Sequence, residues 1–153
     1  MGAYAMRPTG RRVRYDDMEL AAALDYVRTN HQAVLYTRRA DGSPQLSPIT
    51  LDVDDAGQVV ISSRETAYKV RNLRRDPRCS LCVFPDKWLG RWVQLDGTAD
   101  LLSLPDALEP LVAYYRGLRG EHPDWDDYRA AMVREQRLLI RVSVERAGPD
   151  RSG

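Results

Sequence analysis

Between Ser62 and Val83 the chain reads SSRETAYKVRNLRRDPRCSLCV, with six cations (Arg64, Lys69, Arg71, Arg74, Arg75 and Arg78) against two acids, Glu65 and Asp76. A solvated helix ordinarily mixes its signs, so a one-sided run raises the question of what anion it holds. Ser62 and Glu65 have the N-cap and N3 spacing of a capping box, which predicts a helix opening at Ser62 and stopped by Asp76-Pro77. Inside it Ala67, Val70 and Leu73 form the packing stripe, while Lys69 and Asn72, three apart, share a different face. The free N–H groups and positive dipole at the helix start favour an anion, and Lys69 adds a mobile charge. Arg64, Arg71, Arg74 and Arg75 would extend that field. The competing reading is a solvated basic face tied down by acids elsewhere, and both stand at this point.

Other chemistry-bearing residues point to little. Neither G-x-x-x-x-G-K nor G-x-G-x-x-G occurs after a strand, so both nucleotide loops are missing. Cys79 and Cys82 are formally a C-x-x-C, but in a strand a separation of three puts them on opposite faces, which predicts two inert thiols. His31 and His122 have no second His or Cys nearby, so no metal set is expected. Asp124, Asp126 and Asp127 crowd a helix start, where acids suit the dipole better than they make a catalytic pair. Of the three tryptophans, Trp92, on a strand beside Arg91, is the candidate ligand wall.

The elements that must position these residues alternate along 153 residues, a length for one domain with a proper core. Asp16 to Arg28 has apolar residues at Met18, Leu20, Ala21, Leu24 and Val27, close to helical spacing. Ala33 to Thr37, the Asp41-Gly42 turn and the alternation Ile49, Leu51, Val53 read as a hairpin, and QVVIS as a third strand. CSLCV and RWVQLDGTADLL follow as strands four and five, the latter with Gly97 marking a bend or bulge. Two helices, one started by Ser103 and Pro105 and one from Asp124, precede a sixth strand, RLLIRVSVE. The expectation is an α+β domain over residues 16–145 on a six-stranded, mostly antiparallel barrel, with flexible tails at 1–15 and 146–153.

Net charge is only +1, so the chain is no polycation, and one tyrosine, Tyr68, among the arginines is thin support for nucleic-acid binding. No run of about 18 apolar residues exists to span a membrane, and the first fifteen residues lack a signal peptide's apolar centre. With two cysteines, a cytoplasmic setting is expected.

The succession AVLYTRRADGSPQLSPI, VVISSRETAYKVRNLRRDPRCSLCV and GEHPDWDDYRAAMVREQRLLIRV resembles the split β-barrel family of flavin and deazaflavin oxidoreductases, which includes the pyridoxamine phosphate oxidases. Within it the chain is similar to the small actinobacterial members that use the 5-deazaflavin coenzyme F420. YKVRNLRRDPR and GEHPDWDDYR carry that narrower likeness, and the match spans residues 16 to 144.

The resemblance implies an FMN-binding split-barrel fold and a homodimer with the cofactor in a cleft between subunits. Gln45, Ser47, Ser62 and Ser63 would flank the ring system. Lys69 and Asn72, in K-x-x-N spacing, would hold the phosphate and tail region, and Trp92 would lie near the cofactor. Some relatives carry an Arg where Ala67 stands, which implies either a weaker phosphate grip or Arg64 as the substitute. The implied reaction is hydride transfer between coenzyme F420 and a small organic substrate, with no side chain named as catalytic. Coenzyme F420 carries a phosphate followed by glutamates, and the excess of cations from Lys69 to Arg78 favours it over the single phosphate of FMN. The alternatives are an FMN-dependent oxidoreductase on the same fold and a non-catalytic F420 carrier.

Overall fold

A computed structural model describes residues 17–153. The expected 1–15 tail lies outside the described residues. Four helices, α1 (Leu20–Thr29), α2 (Tyr68–Arg75), α3 (Leu108–Arg119) and α4 (Trp125–Arg134), flank seven strands. The strands are β1 (Gln32–Arg38), β2 (Pro44–Thr50), β3 (Asp52–Val53), β4 (Val59–Arg64), β5 (Arg78–Phe84), β6 (Arg91–Leu102) and β7 (Arg137–Ser152). They form one antiparallel sheet in the order β2-β1-β5-β6-β7-β4-β3, curled into a split barrel. The two-residue β3 is the strand beyond the six expected; Leu51, buried and bonded through its N–H to His31 O, breaks it from β2.

Alternation along the strands fills the barrel. Ala33 and Leu35 of β1, Cys79, Leu81 and Val83 of β5, Val93 and Leu95 of β6, and Leu138 and Ile140 of β7 share the interior with Val70 and Leu73 of α2. Each fully buried aliphatic side chain there contributes about 1.5–3 kcal/mol of transfer free energy. A second core lies outside the barrel, where Val60 of β4 and Leu139 of β7 meet Leu111 and Val112 of α3 and Tyr128 and Met132 of α4. The unbroken apolar run Leu138, Leu139, Ile140 thus has both faces covered by its own chain. Across β1, β2, β5 and β6 the outer face is different: Val34, Tyr36, Phe84 and Trp92 are half-buried and Leu46 is 64% exposed.

Two local expectations are corrected. The helix does not open at Ser62, since Ser62 to Arg64 belong to β4, paired with Leu139, Leu138 and Arg137 of β7, and α2 starts after Ala67 without a side-chain cap. Strand pairing has overridden the local capping signal, and the Glu65 carboxylate instead accepts from Ser103 Oγ at 2.6 Å and Arg74 at 2.5 Å. Nor is 146–152 a loose tail: β7 runs on to Ser152, with Trp92 opposite Arg151 and Val93 opposite Asp150, and Ala147 is buried. Pro149 is tolerated because β4 pairs with β7 only as far as Val142, so no second ladder needs a backbone N–H at that position. Gly97 does mark a register shift in β6, where an added Cβ would lie 2.3 Å from Ser143 O.

Candidate functional site: an acid-free cleft beside α2

A cavity of about 730 Å³ opens where α2, α3, α4 and the start of β7 meet the ends of β1, β2 and β4. Its wall carries three cations, Lys69, Arg119 and Arg137, three tyrosines, Tyr114, Tyr115 and Tyr128, and no acid. Lys69, in the first turn of α2, is half-buried and has no hydrogen bond or ion pair among the described residues. Burial first, and the neighbouring Arg137 charge second, hold its pKa below the ordinary 10.5. A desolvated ammonium with no carboxylate beside it is costly, and a bound anion would relieve that cost. Arg137 keeps one acid, with Nε donating to Glu135 Oε2 at 2.9 Å.

The tyrosines frame the cleft rigidly. Tyr114 OH donates to Thr50 O at 3.0 Å, tying α3 to the end of β2; burial pushes its pKa up and the Asp52 charge adds to the shift, opposed by the Ser62 backbone, Arg137 and Arg119. Tyr128 OH donates to Leu111 O at 2.9 Å, and burial pushes its phenol up to about 12. Tyr115 and Tyr128 also pack with His122 and Trp125 in a four-ring cluster. There His122 Nδ1 accepts from Asp124 N–H at 2.9 Å, and Asp124 in turn caps α4 by accepting from Asp127 N–H.

The other face of α2 borders a second groove of about 360 Å³, lined by Arg39, Arg71, Arg75, Tyr68, Gln45 and Asn72, again without an acid. Asn72 is only 6% exposed; its Nδ2 donates to Gln45 Oε1 at 2.8 Å and Thr37 Oγ1 at 3.1 Å, and its Oδ1 accepts from Arg75 at 3.1 Å. The basic run therefore divides. Arg64 pairs with Glu135, Arg74 with Glu65 and Arg78 with Asp76, whereas Lys69, Arg71 and Arg75 have no acid partner among the described residues.

The expected site residues are accordingly dispersed. Ser62 and Lys69 line the cleft, and Gln45 and Asn72 line the groove behind α2. Strand alternation separates Ser63 from Ser62, sending Ser63 to the interior side with Val59 and Ile61 at 4% exposure. Ser47 is half-buried opposite Leu35, and Arg64 points to Glu135. Trp92 lies in a third pocket of about 280 Å³ on the outer face with Trp88, Leu89 and Cys82, and Phe84 lines both that pocket and the main cleft. Tyr114, Arg119 and Arg137 are site residues that sequence reasoning missed, since each arrives from an element remote in the chain. Among the described residues no three His, Cys, Asp or Glu side chains converge as a metal set, and no helix is long and apolar enough to cross a membrane.

The chain is similar to a conserved hypothetical protein of Mycobacterium tuberculosis, at 27% identity over 90% of this chain and 88% of that one, with a TM-score of 0.71. It matches an F420 reductase at 19% identity over 80% and 93% of the two chains (TM-score 0.62). It also matches the haem storage protein HutZ of Vibrio cholerae at 18% over 89% and 98% (TM-score 0.66). The last two likenesses establish the fold alone. The family model for pyridoxamine 5'-phosphate oxidase matches residues 20–148, a span holding the whole cleft, and with the curled antiparallel sheet it makes this chain a member of the pyridoxamine 5'-phosphate oxidase family of split barrels.

Proposed function

We propose that the protein is a coenzyme F420-dependent oxidoreductase that moves a hydride between the deazaflavin and a small organic substrate. The observation that carries this is Lys69, half-buried beside Arg137 in a cleft without acids. On the opposite face of the same helix, the groove of Arg39, Arg71 and Arg75 is equally free of acids. Two cationic surfaces on one helix suit a phosphate followed by a chain of carboxylates better than the lone phosphate of FMN. The likeness to a solved F420 reductase supports the same reading.

When bound, the deazaflavin supplies the hydride chemistry. Lys69 and Arg137 hold the phosphate, Arg71 and Arg75 the tail, and the Tyr114, Tyr115 and Tyr128 wall orients the ring and excludes water. Gln45 acts through Asn72, fixing the groove's floor. The outer face of β1, β2, β5 and β6, where Val34, Tyr36, Leu46, Phe84 and Trp92 stand, is where a second copy docks, and because Phe84, Pro48 and Gln32 belong both to that face and to the cleft rim, the dimer completes the cleft. Trp92 enters the site from that interface. Two free thiols, Cys79 and Cys82, suit the cytoplasm. Equilibrium dialysis against equal concentrations of coenzyme F420 and FMN tests the reading: preferential retention of F420 supports it, and preferential retention of FMN replaces it with the flavin alternative.

A further inference from the structure

The last turns of α3 hold two arginines with different fates. Arg116 is committed, with Nε donating to Glu121 Oε1 at 2.7 Å and the guanidinium 4.8 Å over the Trp125 ring. Arg119 has no hydrogen bond or ion pair among the described residues, and it lines the main cleft. Its charge reaches the half-buried Tyr114 phenol, as do those of Arg137 and Asp52, while Lys69 feels Arg137. The cleft wall therefore carries Arg119, unpaired among the described residues, besides Lys69 and Arg137.

With the phosphate at Lys69 and Arg137 and the ring against the tyrosine wall, Arg119 and the apolar Leu118 and Met132 are lining residues of the cleft left without an assigned ligand. We infer that Arg119 is a specificity residue that grips a carboxylate on the substrate, so that the reaction's substrates are small organic acids with a flat or apolar body. A planar guanidinium matches a carboxylate in two parallel hydrogen bonds, which a neutral amide cannot reproduce. The inference rests on the proposed coenzyme reading, in which the phosphate takes Lys69 and Arg137 and leaves Arg119 to the substrate.

Benzoate and benzamide, equal in shape and different in charge, are the probes, titrated by NMR chemical shift into the coenzyme-loaded protein. Wild type should favour benzoate by about fivefold, the upper end for a partly exposed ion pair. Arg119→Gln should erase that preference and Arg119→Lys should keep part of it, with coenzyme affinity unchanged in both. No preference in wild type, a preference surviving in Arg119→Gln, or a loss of coenzyme affinity in that variant overturns the assignment. If wild type binds no coenzyme yet shows an Arg119-dependent benzoate preference, only the coenzyme reading falls and the carboxylate grip stands.

Discussion

Lys69 and Asn72 are three residues apart on α2, yet they do opposite things. The ammonium of Lys69 faces an acid-free cleft without a partner among the described residues, while the Asn72 amide is buried and spent on Thr37, Gln45 and Arg75. One helix thus presents an unsatisfied charge on one side and a satisfied clamp on the other. The first is suited to a ligand and the second to holding α2 on the β1–β2 hairpin.

The clamp predicts a stability effect. Asn72→Ala removes the donor shared by the buried Thr37 hydroxyl and the Gln45 amide oxygen, leaving only the 3.3 Å bond between those two, and should cost about 1–3 kcal/mol. Urea unfolding measures it. An unchanged midpoint would mean that the network is not what seats α2.

The unsatisfied charge predicts a pH effect. Burial and Arg137 lower the Lys69 pKa in the free protein, and a bound anion raises it again. Coenzyme affinity should therefore be full at neutral pH and fall as pH rises through the lowered value toward 10.5. Tyr114 and Tyr128 are pushed upward and titrate later. Lys69→Arg, charged throughout, should flatten the profile, and a flat wild-type profile would contradict the placement of Lys69 at the anion.

Much of the fold was legible locally, because alternation in ALY-type strands and the Asp41-Gly42 turn encode face and register within a few residues. What was not legible depends on pairing at long range. Arg64 opposite Arg137 extends β4 through what reads as a capping box, and Val93 opposite Asp150 turns an apparent tail into a strand. The site follows the same division: Lys69 and the absence of nucleotide loops could be read from spacing. Arg137, Arg119 and Tyr114 could not, since only the folded sheet brings them to Lys69.

Gly97 was marked by sequence as a bend, and its tight approach to β7 makes a sharper prediction. A methyl 2.3 Å from the Ser143 carbonyl oxygen cannot be accommodated without moving the β6–β7 ladder, so Gly97→Ala should destabilise by about 1–3 kcal/mol. Thermal unfolding reports it, and a variant as stable as wild type would show that the bulge yields freely.

The cysteines report on assembly. Cys79 is buried with its thiol pushed up to about 12 by burial, with Asp96 and Glu145 adding to the shift. Cys82 is exposed on the outer face proposed for the second copy. Iodoacetamide should modify Cys82 and spare Cys79 in the folded protein, and the Cys82 rate should fall as protein concentration rises through dimer formation. A rate independent of concentration would place the interface elsewhere.

The most direct measurement is calorimetric titration of wild type and Lys69→Ala with coenzyme F420 and with FMN at low salt. Wild type should bind F420 more tightly than FMN, and Lys69→Ala should lose about 1.5–3 kcal/mol of F420 affinity while staying folded, because Lys69 lies off the Val70 and Leu73 stripe. Equal affinity for the two cofactors, or undiminished F420 binding by the variant, would contradict the account.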